Sequence, residues 1–207
     1  MANTPRLVLG THNQKKGKEM TALLAPHRLE LLTLTDFPET LEVVEDGNSF
    51  AENAALKATQ QAVHLGQWVL GEDSGLVVDA LGGAPGIYSA RFAGPQATDA
   101  DNNRQLLEKL GDTPLEKRTA HYVCHMTLSD PQGNLRAECE SYCQGRIQFA
   151  ASGSAGFGYD PLFEIVEYHR TFGDLGEEIK STLSHRARAM RQLIPQLAAL
   201  VRTGQWE

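Results

Sequence analysis

Apolar residues recur along this chain in two rhythms, and the alternation between them describes an α/β protein. Arg6-Leu7-Val8-Leu9-Gly10 is an apolar run of strand length, and after a short loop a helical pattern runs from Gln14 to Ala25. Residues 28–34 suggest a second strand, and an acidic connection over 36–48 leads to Ser49-x-x-Glu52, a capping-box pattern that announces a helix. That helix carries Ala54, Ala55, Leu56, Ala58, Ala62 and Val63 and ends near Gly66. Trp68-Val69-Leu70 then reads as a short buried strand, so a strand–helix–strand unit occupies the first third of the chain.

Beyond a second apolar run, Leu76-Val77-Val78, the stretch Gly82-Gly83-Ala84-Pro85-Gly86 forbids regular structure and implies a shaped loop. Helical signal returns at 98–110. Thr119 to Leu128 and Leu135 to Phe149 alternate with the period of a strand, and Asp130-Pro131-Gln132-Gly133-Asn134 between them reads as the turn of a long antiparallel hairpin. The sheet is therefore expected to be mixed. A last helix starts near Ser184 and spaces Leu183, Ala187, Met190, Ile194, Leu197 and Val201 along one face, with Pro195 expected to kink or restart it. No repeat, low-complexity tract or linker interrupts the pattern. With 207 residues, 41% of them hydrophobic, the expectation is one domain over 1–207, with room for two lobes.

Charge and cysteine usage narrow the function classes. A formal net charge of −7 argues against a nucleic-acid partner, but leaves open a small polyanion met by locally concentrated cations and a metal. No window approaches the ~20 apolar residues that span a bilayer. Met1-Ala2-Asn3-Thr4-Pro5 lacks a charged segment followed by an apolar stretch, so no membrane partner and a cytoplasmic location are expected. Cys124, Cys139 and Cys143 have no Cys-x-x-Cys spacing and read as reduced packing residues.

Four segments carry candidate chemistry. In Gly71-Glu72-Asp73-Ser74-Gly75 an acidic pair ends an apolar run, and its glycines suggest a tight turn that presents two carboxylates at a strand end; the competing reading is a solvated turn. Glu45 and Asp46, with Asn53 and Lys57 at i and i+4 on the next helix, would suit a metal–phosphate complex. Gly10-Thr11-His12-Asn13-Gln14-Lys15-Lys16 joins the first strand to the first helix, where backbone N–H groups and the Lys16 ammonium could cradle phosphate; it lacks the Gly-Lys-Ser/Thr of a P-loop. Finally, Ser152 to Pro161 is a glycine-rich loop expected to expose Phe157, Tyr159 and Asp160 to a base, and Lys180, His185 and Arg186 gather cations around a helix N-terminus.

Taken in order, Thr11-x-Asn13-x-x-Lys16, Ser49-Phe50-x-Glu52-Asn53-Ala54-x-x-Lys57-Ala58, Glu72-Asp73-Ser74-Gly75-Leu76, Leu81 to Arg91, Phe157-Gly158-Tyr159-Asp160-Pro161 and Ser184-His185-Arg186 resemble the motifs of the inosine triphosphate pyrophosphatase family. The resemblance covers nearly the whole chain. It implies an α/β fold with an elongated mixed β-sheet flanked by helices, two lobes with a central cleft, and a homodimer as the usual assembly. It also implies Mg²⁺-dependent hydrolysis of ITP, dITP and XTP to the monophosphate and pyrophosphate, which clears these non-standard purines from the nucleotide pool before they enter DNA or RNA. Carried over by position, Thr11, His12, Asn13, Gln14, Lys15 and Lys16 hold phosphate together with Lys57, Ser74 and Lys180. Asp73 and Glu45, the latter with Asp46 and Glu52 as competing neighbours, hold Mg²⁺, and Asp73 takes the proton of the attacking water. Phe157, Gly158, Tyr159 and Asp160, with His185 and Arg186, form the base pocket.

Two rivals are weaker. A Maf-type pyrophosphatase for modified nucleotides would lack the Phe157-to-Asp160 loop and Ser184-His185-Arg186. A non-catalytic nucleotide sensor would have no need of Asp73, Lys16 and Lys57 together.

Overall fold

The computed structural model describes residues 4–206; Met1–Asn3, part of the stretch read for targeting, and Glu207 lie outside the described residues. In chain order the elements are β1 (Arg6–Leu9), α1 (Gln14–Leu24), β2 (Glu30–Thr33), α2 (Phe50–Leu65), β3 (Val69–Val78), α3 (Asp99–Leu110), β4 (Thr119–Ser129), β5 (Leu135–Ile147), β6 (Phe163–Ile165), β7 (Arg170–Thr171), α4 (Phe172–Leu183) and α5 (His185–Arg202). The strands form one seven-stranded sheet in the order β2-β1-β3-β4-β5-β6-β7. β1 pairs in parallel with β2 and β3, and β6 is antiparallel to β5 and β7. The mixed α/β sheet flanked by helices is thus the one observed.

Local chemistry explains most of the boundaries. The Asn13 side chain caps α1; Ser49 caps α2 by accepting the Glu52 N–H at 3.1 Å, and Glu52 returns a bond to the Asn48 N–H. Gly66, at φ 60°, ends α2 in the left-handed region that a glycine adopts without strain. β1 is buried on both faces, Leu7 and Leu9 against Leu24, Trp68 and Met190, and Val8 against Leu34, Ala62 and Val69.

Two expectations fail. The acidic pair does not end a strand, because β3 is a single strand of 10 residues running through Glu72, Asp73, Ser74 and Gly75. Gly71 serves close packing rather than a turn: a Cβ there would lie 2.2 Å from the Ala54 carbonyl oxygen of α2. Pro195 neither breaks nor restarts α5, which is continuous from His185 to Arg202; the proline sits on the exposed side of the helix, where its ring displaces no core packing. The short strands β6 and β7 and helix α4, to which Leu183 belongs, left no periodic signal to read.

By contact the chain divides into two compact units. One comprises the chain up to Asp73, Cys124–Ser141 and the chain from Arg186; the other comprises Ser74–Val123 and Tyr142–His185. The first unit's core is built from β1, α1, the start of β3 and α5, and the second unit's from Leu76, Val78, Leu106, Tyr122, Phe163 and Phe172. Among the described residues the three cysteines are buried and form no disulfide.

Candidate functional site

In the first unit, the close approach at Gly71 sets α2 over β3, and two residues one helical turn apart on α2 reach Asp73. The Lys57 Nζ lies 2.9 Å from Asp73 Oδ1 and 2.9 Å from Glu45 Oε2, so one ammonium bridges two carboxylates. Asn53 Nδ2 donates to Asp73 Oδ2 at 3.4 Å. Asp73 is only 7% exposed, and burial pushes its carboxyl above the ordinary value; the ammonium groups of Lys57 and Lys16 pull it back and Glu72 adds to the rise. Burial opposes the charge on Lys57, but Asp73, Glu72 and Glu45 together outweigh it and hold the ammonium above its ordinary value.

Glu72 is fully buried, and the alternation of β3 turns it away from Asp73. It meets Lys16 Nζ at 2.9 Å and Arg186 Nη2 at 3.0 Å, and Arg186 also pairs with Glu19 of α1. Burial disfavours the Arg186 charge, and Glu72 and Glu19 more than reverse that, raising the guanidinium further. The strand-to-helix loop is internally bonded: Asn13 Oδ1 accepts the N–H groups of Lys15 and Lys16 at 3.1 Å, and Thr11 Oγ1 accepts that of Asn13 at 3.1 Å. His12 Nε2 lies 3.2 Å from the Leu41 carbonyl oxygen, while Gln14 and Lys15 are exposed on the first turn of α1.

Among the described residues no cluster of three or more His, Cys, Asp or Glu side chains is arranged to hold a metal. Glu45 and Asp73 nevertheless fit a hard divalent cation: both offer carboxylate oxygens, and one positive charge already draws the two together. Magnesium commonly binds through one or two carboxylates and completes its shell with water and substrate phosphate.

In the second unit, Asp160 is the hub. At 1% exposure it accepts hydrogen bonds from Lys180 Nζ at 2.6 Å, the Phe157 N–H at 2.8 Å and the Tyr122 hydroxyl at 3.3 Å. Lys180 Nζ also lies 4.2 Å from the centroid of the Phe157 ring, within cation–π range. The imidazole of His185 stacks on Tyr122, with centroids 4.6 Å apart and planes inclined by 12°. Burial, reinforced by Asp160, lifts the Tyr122 phenol well above its ordinary value and keeps it a donor. The loop is pinned at Gly158, whose N–H donates to Asp99 Oδ2 and whose carbonyl accepts from Asn103 Nδ2, each at 3.0 Å.

The predicted site residues therefore fall into two groups. Glu45, Lys57, Asp73 and Lys16 gather in the first unit beside the Thr11–Asn13 loop, and Phe157, Gly158, Asp160, Lys180 and His185 in the second. Ser74 follows Asp73 on β3 and is half-buried. Tyr159 and Asp160 are not exposed as expected: at 4% and 1% they are buried, Tyr159 donating to the Ser89 carbonyl and Asp160 holding its own loop. Arg186 parts from His185, since successive helical residues point about 100° apart, and its guanidinium lies with Glu72 and Glu19. Tyr122 and Glu19 escaped notice in the sequence. One looks like any aromatic of an alternating strand and the other like any acid on a helix.

The model of the Ham1 family matches residues 7–196. A dITP/XTP pyrophosphatase of Rhodopirellula baltica is 54% identical over 197 residues, 95% of each chain, and one from Exiguobacterium sp. is 47% identical over 189 residues, 91% of this chain and 94% of that one. Among solved structures, a HAM1 protein from Coxiella burnetii superposes with a TM-score of 0.85 at 34% identity, covering 94% of this chain and 99% of that one. The nucleoside-triphosphatase / dITP/XTP pyrophosphatase of Mycobacterium abscessus gives 0.74 at 39% identity, over 93% and 99%.

Proposed function

The chain belongs to the Ham1 family, and from that premise we propose that it hydrolyses non-standard purine nucleoside triphosphates, ITP, dITP and XTP, adding water across the α–β anhydride to give the monophosphate and pyrophosphate. The observation that carries the reading is the buried Asp73 carboxyl beside Lys57 and Glu45. A carboxyl held above its ordinary value is a better proton acceptor than a free carboxylate, and its fixed setting between Asn53 and Lys57 would orient the attacking water. Glu45 and Asp73 would hold Mg²⁺, which when bound supplies charge neutralisation for the phosphates and the leaving pyrophosphate. Lys57, on Asp73 and Glu45, and Lys16, on Glu72, add cations, and the Thr11-to-Lys16 loop offers hydroxyl, amide and backbone donors to phosphate oxygens.

The base is assigned to the second unit. The glycine-rich loop and the Phe157 ring offer a flat surface; Lys180, which lies against Asp160 and that ring, is assigned to the base rather than to phosphate. Its ammonium and the stacked His185 imidazole offer donors suited to a 6-keto purine, which a 6-amino group would leave unpaired. Asp160 serves that surface by holding Lys180 and the Phe157 N–H. A homodimer and a cytoplasmic location belong to the same reading, with no nucleic acid or membrane as partner. No helix among the described residues is long and apolar enough to cross a membrane.

The test is to incubate the protein with Mg²⁺ and ITP, XTP, GTP or ATP and to measure phosphate with and without added inorganic pyrophosphatase. Phosphate from ITP and XTP only in the coupled reaction is expected. Direct phosphate release would make the protein a phosphatase, and no release from any nucleotide would sink the proposal.

A further inference from the structure

Asn53, Lys57 and Gln61 follow one another on α2 at four-residue spacing, and each reaches the irregular segment between β2 and α2. Gln61 Nε2 donates to the Leu41 carbonyl at 2.6 Å, and its Oε1 accepts the Leu41 N–H at 3.3 Å. Lys57 holds Glu45 at 2.9 Å, and Asn53 Oδ1 accepts the Gly47 N–H at 2.9 Å. The segment therefore runs antiparallel to α2, fixed at three successive points. His12 contributes a fourth contact, on the same Leu41 carbonyl that Gln61 uses.

The two amides are the informative members. Asn53 and Gln61 are each 1% exposed, on a helix whose buried face also carries Lys57 and the alanines Ala54, Ala58 and Ala62. Burying a primary amide is unfavourable unless its donors and acceptors are met. Gln61 meets the backbone of Leu41 with both ends, as a neighbouring strand would, and Asn53 spans Gly47 and Asp73. Among the described residues no strand or helix includes residues 41–47, and the contacts that hold them come from side chains.

We propose that Asn53 and Gln61 are positioning residues of the hydrolytic site: they hold residues 41–47 along α2 so that Glu45 stays beside Asp73. The inference rests on the reading of Glu45 and Asp73 as the metal-holding pair. It predicts that loosening the segment weakens metal binding before any nucleotide is present. It also predicts a lower kcat with a smaller change in nucleotide KM, because the base surface is untouched and the phosphate loop meets the segment through His12.

The experiment compares wild type with Gln61→Leu, similar in size but unable to make either bond, and with Gln61→Glu, which loses the donation to the Leu41 carbonyl. Melting curves establish that each folds. Cleavage by a glutamate-specific protease at Glu39, Glu42 and Glu45 should be roughly tenfold faster in Gln61→Leu. Mn²⁺ titrated into the nucleotide-free protein, followed by electron paramagnetic resonance, should bind several-fold more weakly. Cleavage at the wild-type rate would overturn the tether, and so would undiminished Mn²⁺ binding in Gln61→Leu when Glu45→Gln has lost it. Undiminished Mn²⁺ binding in Glu45→Gln would instead remove the metal role of Glu45 and with it the purpose of the tether, while the protease rates still decide whether the tether exists.

Discussion

The two units bury their polar chemistry in different surroundings. In the first, charges are buried against charges: Asp73 with Lys57, and Glu72 with Lys16 and Arg186. In the second, the buried carboxyls Asp160 and Glu164 also have cationic partners, Lys180 and Arg146, but Asp160 is held in addition by a phenol and a backbone N–H and leans on an aromatic stack of Tyr122, His185, Phe163 and Phe172. A charge network loses heavily when one member is removed, because the partner is left uncompensated away from water. An aromatic scaffold loses contact area and geometry by degrees. Substitutions in the first unit should therefore act sharply on turnover, and those in the second gradually on preference.

The largest effect is expected of Asp73→Asn. If this carboxyl accepts the water's proton, turnover of ITP should fall by about 10²–10⁴-fold with circular dichroism unchanged; a residual rate near wild type would place the base elsewhere. Next comes Lys57→Met, which strands Asp73 and Glu45 without their shared cation. A loss of about 3 kcal/mol of stability, read by urea unfolding, is expected, and a melt like wild type would show that the pair is not a unit. In the second unit, Tyr122→Leu removes the support of His185 and one of the donors to Asp160. It should raise KM for ITP and narrow the preference over GTP by several-fold while kcat changes less. A purely kcat effect would erase the contrast between the units.

The smallest effect concerns pH. A hydrogen bond from Arg146, the largest influence, holds the Glu164 carboxyl below its ordinary value, with Gln148 assisting. Its stabilisation is present above the unfolded carboxylate value and is lost as pH falls through the lowered native one. Asp73 has the opposite sign: its native value is raised, so its contribution is present at low pH and is lost as pH rises through that value. Glu164→Gln should therefore flatten the loss of stability below about pH 4, and Asp73→Asn should not. Identical acid limbs in wild type and Glu164→Gln would remove that distinction.

Much of this was legible in the residues because the signals were local. Ser49-x-x-Glu52, the apolar runs of β1 and β3, and the Asp130–Asn134 turn are each decided within a few residues, and α2, the hairpin strands and the mixed sheet followed. The pairing of Lys57 with Glu45 and Asp73 was foreshadowed by spacing on α2. What could not be read depends on distance in the chain. Gly71 reads as a turn residue until Ala54 is seen against it, and the exposure expected of Asp160 required knowing that Tyr122 and Lys180 converge on it. Arg186 offers the same lesson, since nothing in Ser184-His185-Arg186 announces Glu19, 167 positions away.

The chain passes from one unit to the other four times, at Asp73/Ser74, Val123/Cys124, Ser141/Tyr142 and His185/Arg186. Two of these junctions fall inside the motifs of the candidate site. Neither unit is therefore a heritable cassette. Recombination that exchanged one half between relatives would need several crossovers, two of them between adjacent residues of the chemistry itself, and a gene fragment encoding either half alone would be missing strands. New base preferences in such a protein are thus expected to arise by point substitution around the Phe157 loop rather than by shuffling of domains.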